Sequence, residues 1–331
     1  MVDRDLSTNY LGLAIPSPIV VASCGLTNSV ENIRILADAG AGAVVLKSIF
    51  EEQIRADVAE VAAEARREAP VHPEIAQFLS GYSAADAVEK TLALIREAKR
   101  AVRIPIIASV HCVSPHAWTD FARRVEEAGA DALELNVFIF PANARHGSGW
   151  YEHIYYDVVN EVRRRVSLPL ALKIGWYFSS PARMIKRLSR SGAAGLVLFN
   201  RFHRPDYDIE RLTIGAAPYF SEPHEIHLPL RWIGIASPSA ECDLAAATGI
   251  HDGAGVVKTL LAGAAVAQVA TTLYKNGMDY IATMLRDVDQ WMDRHDFETI
   301  ESFRGKLSRA NAQDHAAYER VQYMKRSIGV E

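Results

Sequence analysis

The chain has 331 residues, 49% of them hydrophobic and 23% charged, with a formal net charge of −4. The length exceeds the usual single domain, yet barrels of alternating strand and helix run this long as one. A mildly acidic balance excludes the basic field that nucleic acid would require.

From the N-terminus, MVDRDLSTNY carries mixed charges and no apolar run, unlike a signal or transit peptide. SPIVVAS (17–23) begins at a proline, tolerated as a strand's first residue, and continues as a short apolar run. LADAGAGAVVLK (36–47) follows a second pattern: a helical tail, a glycine suited to the left-handed position that ends a helix, a small residue, then a buried run. Residues 50–103 are too many for one crossover; 51–69 are charged and Ala-rich and predict a helix, while 71–82 hold prolines and aromatics. IPIIASVH (104–111) repeats the proline pattern. Next comes an amphipathic helix with Ser114 as N-cap, Pro115 at its first position, and Trp118, Phe121, Ala122 and Val125 on one face. EEAGADALELN (126–136), LPLALKIG (168–175) and SRSGAAGLVLFN (189–200) continue the alternation. Residues 201–229 are irregular and rich in Pro, His, Tyr and Phe. The next strand is placed at 242–248; RWIGIAS (231–237) is a rival for it but reads as part of the preceding helix, and LLAGAAVAQVAT ends the series at Thr271.

Eight strands alternating with helices predict an α/β fold, a single closed (β/α)8 barrel spanning 1–331. An insertion follows its second strand and an irregular loop its sixth. A doubly wound open sheet is the other candidate, but ASCGLTNS after the first strand is not the Gly-rich turn such a sheet needs. Cys24, Cys112 and Cys242 form no CxxC pair, so no metal site is expected, and sparse thiols fit a reducing compartment. No stretch reaches the ~18–20 apolar residues that span a bilayer, so a cytoplasmic chain without a membrane partner is expected.

Barrel enzymes collect their chemistry at the C-terminal ends of the strands. Here those ends carry Ser23, Lys47, His111, Asn136, Lys173, Asn200, Thr248 with Gly249, and Thr271. A lysine closing an apolar strand needs a partner or a ligand. Lys47 and Lys173 either face an anionic or electron-rich ligand or pair with a carboxylate such as Glu134. Thr248–Gly249 and Ala270–Thr271 each lead toward a helix, after the two strands where barrels commonly hold phosphate.

These residues resemble the dihydroorotate dehydrogenase family, in its soluble class 1 branch, over nearly the whole chain. LSTNYLGLAIPSPIVVASCGLT is similar to the family's opening strand and flavin-facing turn, here Ala22, Ser23 and Gly25. AGAVVLKS resembles the second strand with its flavin- and substrate-facing Lys47. ALELN resembles the fourth with Asn136, and LPLALKI the fifth with Lys173. Asn200 matches a substrate-binding asparagine, with Asn143 and Arg201 as further substrate candidates. AATGI and AQVATTLY resemble the two phosphate turns, and IESFRGKL (300–307) the closing pattern. The resemblance implies FMN, a small-molecule substrate, a homodimer, and oxidation of dihydroorotate to orotate with hydride passing to flavin N5.

The family's base, a cysteine shortly after the fourth-strand asparagine, is missing. The segment reads Asn136-Val137-Phe138-Ile139-Phe140-Pro141-Ala142-Asn143, and no side chain at 138–140 accepts a proton. The family's Asn-x-x-Gly-Leu substrate loop has no clear match between Phe50 and Gly81. Three readings stay open. The chain could be a dihydroorotate dehydrogenase with another base, from His111, Cys112, His146 or His203. It could be a flavin oxidoreductase for a different small unsaturated or amide-bearing substrate. Or it could be a non-catalytic flavin subunit with a separate electron-transfer partner.

Overall fold

The computed structural model describes residues 4–50, 84–112, 119–137, 139–202, 204–216 and 219–319. The helix expected over 51–69, the 71–82 stretch, the helix start at 114–115, and positions 118, 138 and 203 lie outside them.

The chain opens with an antiparallel hairpin, β1 (Thr8–Tyr10) and β2 (Leu13–Ile15). The barrel staves then follow as β3 (Ile19–Val21), β4 (Ala43–Val45) with its short continuation β5 (Ile49–Phe50), β6 (Ile106–Cys112), β7 (Ala132–Val137), β8 (Leu170–Ile174) and β9 (Gly195–Leu198). A second hairpin, β10 (Pro205–Asp208) and β11 (Thr213–Ala216), precedes the last two staves, β12 (Asp243–Ala247) and β13 (Val266–Val269). Every stave pairs parallel with the next, and β13 returns to β3, so the sheet closes. All eight expected strands are present, including the one placed within 242–248.

The helices between them are α1 (Val30–Asp38), α2 (Ala84–Ala101), α3 (Thr119–Glu127), α4 (Ser148–Arg163), α5 (Pro181–Ser189), α6 (His227–Ala236), α7 (Gly253–Ala262), α8 (Thr271–Asn276) and α9 (Tyr280–Arg294). Arg231–Ala236 is helical as read, within α6. Each helix buries one stripe against the barrel: Val88, Leu92 and Ile95 on α2, Phe121, Ala122 and Val125 on α3, Met184, Ile185 and Leu188 on α5. The glycines that start the second strand pattern, Gly40, Gly129, Gly192 and Gly263, all hold positive φ between 92° and 111°, as a left-handed helix end requires.

The barrel interior is a separate core of small and branched side chains, including Val20, Val45, Ile107, Ala132, Ala171, Val197, Ala245 and Val266. The first hairpin plugs its lower end. The sequence places the opening strand and its flavin-facing turn within 6–27 and gives no sign of this plug. Its two-residue turn is Leu11–Gly12, at φ 57° and 77°, the primed-turn geometry that usually selects Asn-Gly. Leu11 is instead chosen for burial: it is 2% exposed and shares the interior core. Its backbone N–H donates to Asp243 Oδ2 at 2.7 Å, and its side chain lies where a Cβ on Gly195 would intrude. Burying a leucine of this kind contributes about 1.5–3 kcal/mol, enough to offset the roughly 1–2 kcal/mol that the left-handed backbone costs.

Candidate functional site

Because strand side chains alternate, the residues two positions beyond the aliphatic core point into the same space, nearer the C-terminal rim. Ile107, Ala132, Ala171 and Val266 are thus followed on the inner face by Ser109, Glu134, Lys173 and Gln268. One further step brings His111 and Asn136, which are register neighbours, with Asn136 opposite Lys173. A buried polar layer therefore lies across the barrel, and the rim opens above it.

Lys173 is 8% exposed and Glu134 1%. The ammonium stands 3.8 Å from Glu134 Oε1 and donates to Gln268 Oε1 at 3.3 Å. The pairing with Glu134 that the sequence offered for either lysine is therefore present at Lys173. Lys47 is half-buried at the end of its strand. Beside it Ser48 N donates to Ser23 Oγ at 2.9 Å, and the Ser48 hydroxyl lies 2.9 Å from that of Ser23 and 2.8 Å from that of Ser109. Ala22 is buried and hydrogen-bonded to Val269 O at 2.8 Å. Gly25 is exposed and faces the Tyr274 hydroxyl, where a Cβ would collide.

Asn200 and Asn136 meet directly, Nδ2 of the first donating to Oδ1 of the second at 3.0 Å. That leaves each amide with a free donor or acceptor edge to offer a planar polar ring. Arg201 does not join them. Its guanidinium donates to Glu225 Oε2 at 2.8 Å and to the carbonyls of Tyr219 and Phe220 at 2.8 and 3.2 Å, pinning the loop that follows the second hairpin. Burial pushes the Glu225 carboxyl up, but the Arg201 hydrogen bond and the charges of Arg201 and Arg204 outweigh it and hold it below the ordinary glutamate range. Asn143 is exposed, and its Oδ1 accepts from Arg145 N at 3.0 Å to close its own turn. His146 stacks on the exposed Trp150 at 3.9 Å between ring centroids. His111 is half-buried, with the Phe50 ring 5.1 Å away.

The two turns expected to hold phosphate adjoin each other. Thr272 Oγ1 donates to His251 O at 2.7 Å, tying the loop after β12 to the start of α8. Thr248 and Gly249 both have positive φ, 80° and 78°. A Cβ on Gly249 would strike the Ile226 backbone, which is why glycine stands there. One detail differs from expectation. Thr248–Gly249 does not open directly into a helix: α7 starts at Gly253, and the Asp252 carboxylate caps it by accepting Gly255 N at 2.7 Å. Any anion there would meet loop amides rather than that helix's first turn. The start of α8 has no side-chain cap, so its first amides are open.

Beyond Asn136, in the segment where the sequence offers no cysteine, the chain contributes to an aromatic wall. Phe140 packs edge-on to Tyr177 at 5.7 Å, and Tyr177 stacks on Phe202 at 4.3 Å. These come from the loops after β7, β8 and β9, and the last two cover the face of Gly175. Burial pushes the Tyr177 phenol up, so it remains protonated. Burial likewise raises the Cys24 thiol and takes Cys242, at the opposite end of the barrel beside the Asp243 carboxylate, up to about 12. Neither is a thiolate at neutral pH.

Glu134 entered the sequence reading only as a pairing partner, and Gln268 was missed. Alternation offered a signal for both: in ALELN, Glu134 must share a face with Asn136, and in AVAQVAT one amide interrupts a buried run. Among the described residues no group of three or more His, Cys, Asp or Glu could hold a metal ion, and no helix is long and apolar enough to cross a membrane.

The chain is thus a closed parallel (β/α)8 barrel with a polar layer inside it and two adjoining turns at its C-terminal rim, the end at which barrel enzymes carry their sites. No protein-family model matches the chain. It is 26% identical over 320 residues to the catalytic subunit of dihydroorotate dehydrogenase B (NAD(+)) from Thermoplasma volcanium, covering 91% of this chain and 98% of that one. It is 23% identical over 336 residues to the NAD-dependent dihydropyrimidine dehydrogenase subunit PreA of Escherichia coli, covering 92% and 77%. The chloroplastic dihydropyrimidine dehydrogenase (NADP(+)) of Arabidopsis thaliana is also 23% identical, over 341 residues, with the same coverage. The chain is a divergent relative of the dihydroorotate dehydrogenases.

Proposed function

We propose that the chain is an FMN-dependent oxidoreductase acting on a carbon–carbon bond of a small, planar, amide-bearing ring. The observation that carries this reading is the buried Lys173 ammonium on the inner face of β8, with the Asn136–Asn200 pair at the same rim. The residues fit an FMN. Open amides at Ala270–Thr272 and the loop at Thr248–Ile250 suit its phosphate. Ala22 and Ser23, small and buried or half-buried, leave room for a flat ring beside them. Lys47 and Lys173 supply cations for its polar edge. When bound, FMN supplies the hydride acceptor or donor.

The chain's own residues then bind and orient. Lys173 stabilises negative charge that develops above it, from a site excluded from water. Asn136 and Asn200 present hydrogen bonds to a substrate amide and fix its plane. His111 places an imidazole at this rim, a side-chain type that can serve as a general acid or base.

A reading with a substrate other than dihydroorotate is favoured by two observations. Phe140, Tyr177 and Phe202 occupy the region where the family's base would act, and Arg201 is committed to Glu225 rather than free for a substrate carboxylate. Two relatives are named for dihydropyrimidines, whose rings lack that carboxylate. Anaerobic mixing of the FMN-loaded protein with dihydroorotate, and separately with dihydrouracil, decides between the rings. Bleaching of the flavin absorbance by dihydrouracil alone is the expected result; bleaching by dihydroorotate alone would return the assignment to the orotate reaction.

A homodimer and a separate electron-transfer chain are further parts of this proposal. The dimer is supported by the hairpin of β10 and β11, which exposes Tyr207, Ile209, Leu212 and Ile214 at 70–88%. The relatives named as subunits support the separate partner.

A further inference from the structure

Lys173 and Glu134 come from the adjacent strands β8 and β7, Gln268 from β13 across the barrel, and the three meet inside it. Gln268 Nε2 donates to Glu134 Oε2 at 2.7 Å, and Gln268 Oε1 accepts from Lys173 Nζ at 3.3 Å. The second carboxylate oxygen, Glu134 Oε1, has no hydrogen-bond partner among the described residues and stands 3.8 Å from the ammonium. Glu134 is 1% and Gln268 2% exposed. The amide can serve both neighbours in one orientation only: its donor end meets the anion and its acceptor end the cation. Lysine's long stem has many rotamers, so an acceptor at a fixed place decides where its charge sits. The carboxylate behind it decides how much of that charge is felt above, since an opposite charge a few ångströms away reduces a monopole to a dipole.

We propose that Gln268 and Glu134 are positioning residues for Lys173. Gln268 holds the ammonium up toward the rim, and Glu134 partly offsets its charge. Together they set how strongly the site prefers an anion over a neutral ligand. This rests on the FMN reading, in which the neutral ligand is oxidised flavin and the anion its reduced form.

The test measures the affinity for oxidised FMN and the FMN midpoint potential in the wild type, Glu134→Gln and Gln268→Leu. Glu134→Gln leaves the ammonium uncompensated, so reduced FMN gains at least tenfold over oxidised, a rise of about 30 mV for a two-electron couple. Gln268→Leu lets Lys173 fall back onto Glu134, so the potential shifts the other way by a similar factor. Opposite signs are expected only of positioning; a purely structural role would lower the melting temperature of both variants and leave both potentials alone. Potentials unchanged in both variants, or shifted in the same direction, would overturn the proposal while leaving the FMN reading intact. A wild type that takes up no FMN would overturn both. Should Glu134→Gln fail to fold, a Gln268→Leu potential at or above that of the wild type is enough to overturn it.

Discussion

Lys173 could be picked out in the sequence because a charge closing a run such as LPLALK is costly unless something meets it. Of the two groups that meet it, Glu134 could be named in advance as a carboxylate partner, while Gln268, uncharged in the middle of a buried strand, could not. Which cross-barrel side chains touch depends on the closure of the sheet, which no local pattern records. The resulting pair has a testable energetic signature. Removing one partner of a buried ion pair strands the other, at a cost of about 3–5 kcal/mol, whereas replacing both by apolar groups is often neutral. Glu134→Leu should therefore lower the unfolding free energy by about that much in urea titration, and Glu134→Leu/Lys173→Met should recover most of it. Equal and additive losses would show that the two charges do not interact. Asn143 and Arg201 teach the opposite lesson. Both had suitable chemistry at the rim, yet Asn143 closes its own turn and Arg201 anchors a loop, uses that depend on the local backbone path.

At the scale of elements, seven of the eight strands were legible because each begins at a proline or after a helix-ending glycine, two devices with simple backbone causes, and the strand at 243–247 followed from the gap they left. Neither hairpin was legible. The first hides its turn behind Leu11, a residue selected for the barrel plug, and the second lies in a stretch whose composition reads as loop. The second hairpin leads into the segment that Arg201 pins through Glu225. Glu225 has its folded-state pKa held below the ordinary value, so the interaction stabilises the loop fully above that ordinary value and loses this contribution as pH falls through the folded one. Hydrogen-exchange protection at residues 219–226, relative to the intrinsic rate at each pH, should accordingly stay high from neutral pH down to about the ordinary glutamate range and fall at more acidic pH, and Glu225→Gln should be poorly protected throughout. Protection lost between pH 6 and 8 instead would place the anchor elsewhere. The apolar side chains of the same hairpin give the dimer its test: Leu212→Asp/Ile214→Asp should convert a dimer to monomer in light scattering, with the circular dichroism spectrum unchanged. A double variant that remains dimeric would move the interface off this hairpin.

For the whole molecule, the order of strands carries more than any one motif. Each turn and strand end is a weak signal alone, and their succession at barrel spacing is what identified the architecture and the rim. Among the described residues the lower half of the barrel is filled and plugged, which leaves the rim that carries Lys47, Asn136, Lys173 and Asn200 as the end open to a ligand. What the succession could not reveal is the chemistry of the wall. The stretch from Val137 to Pro141 carries apolar side chains and no proton acceptor, and only the fold brings Phe140 together with Tyr177 and Phe202. A relative keeping the cofactor-side residues while changing that wall is expected to keep the flavin and change the ring it acts on.

The most direct test of this account is titration of the flavin-free protein with FMN, followed by flavin fluorescence, alongside Lys47→Ala, Lys173→Ala and a phosphate-turn variant, Gly249→Ala. Saturable one-to-one quenching by the wild type is predicted. Gly249→Ala should bind at least tenfold more weakly, and the lysine variants should bind FMN yet be reduced more slowly by dithionite or substrate. A folded wild-type protein that leaves FMN fluorescence unchanged at every concentration would contradict the central claim.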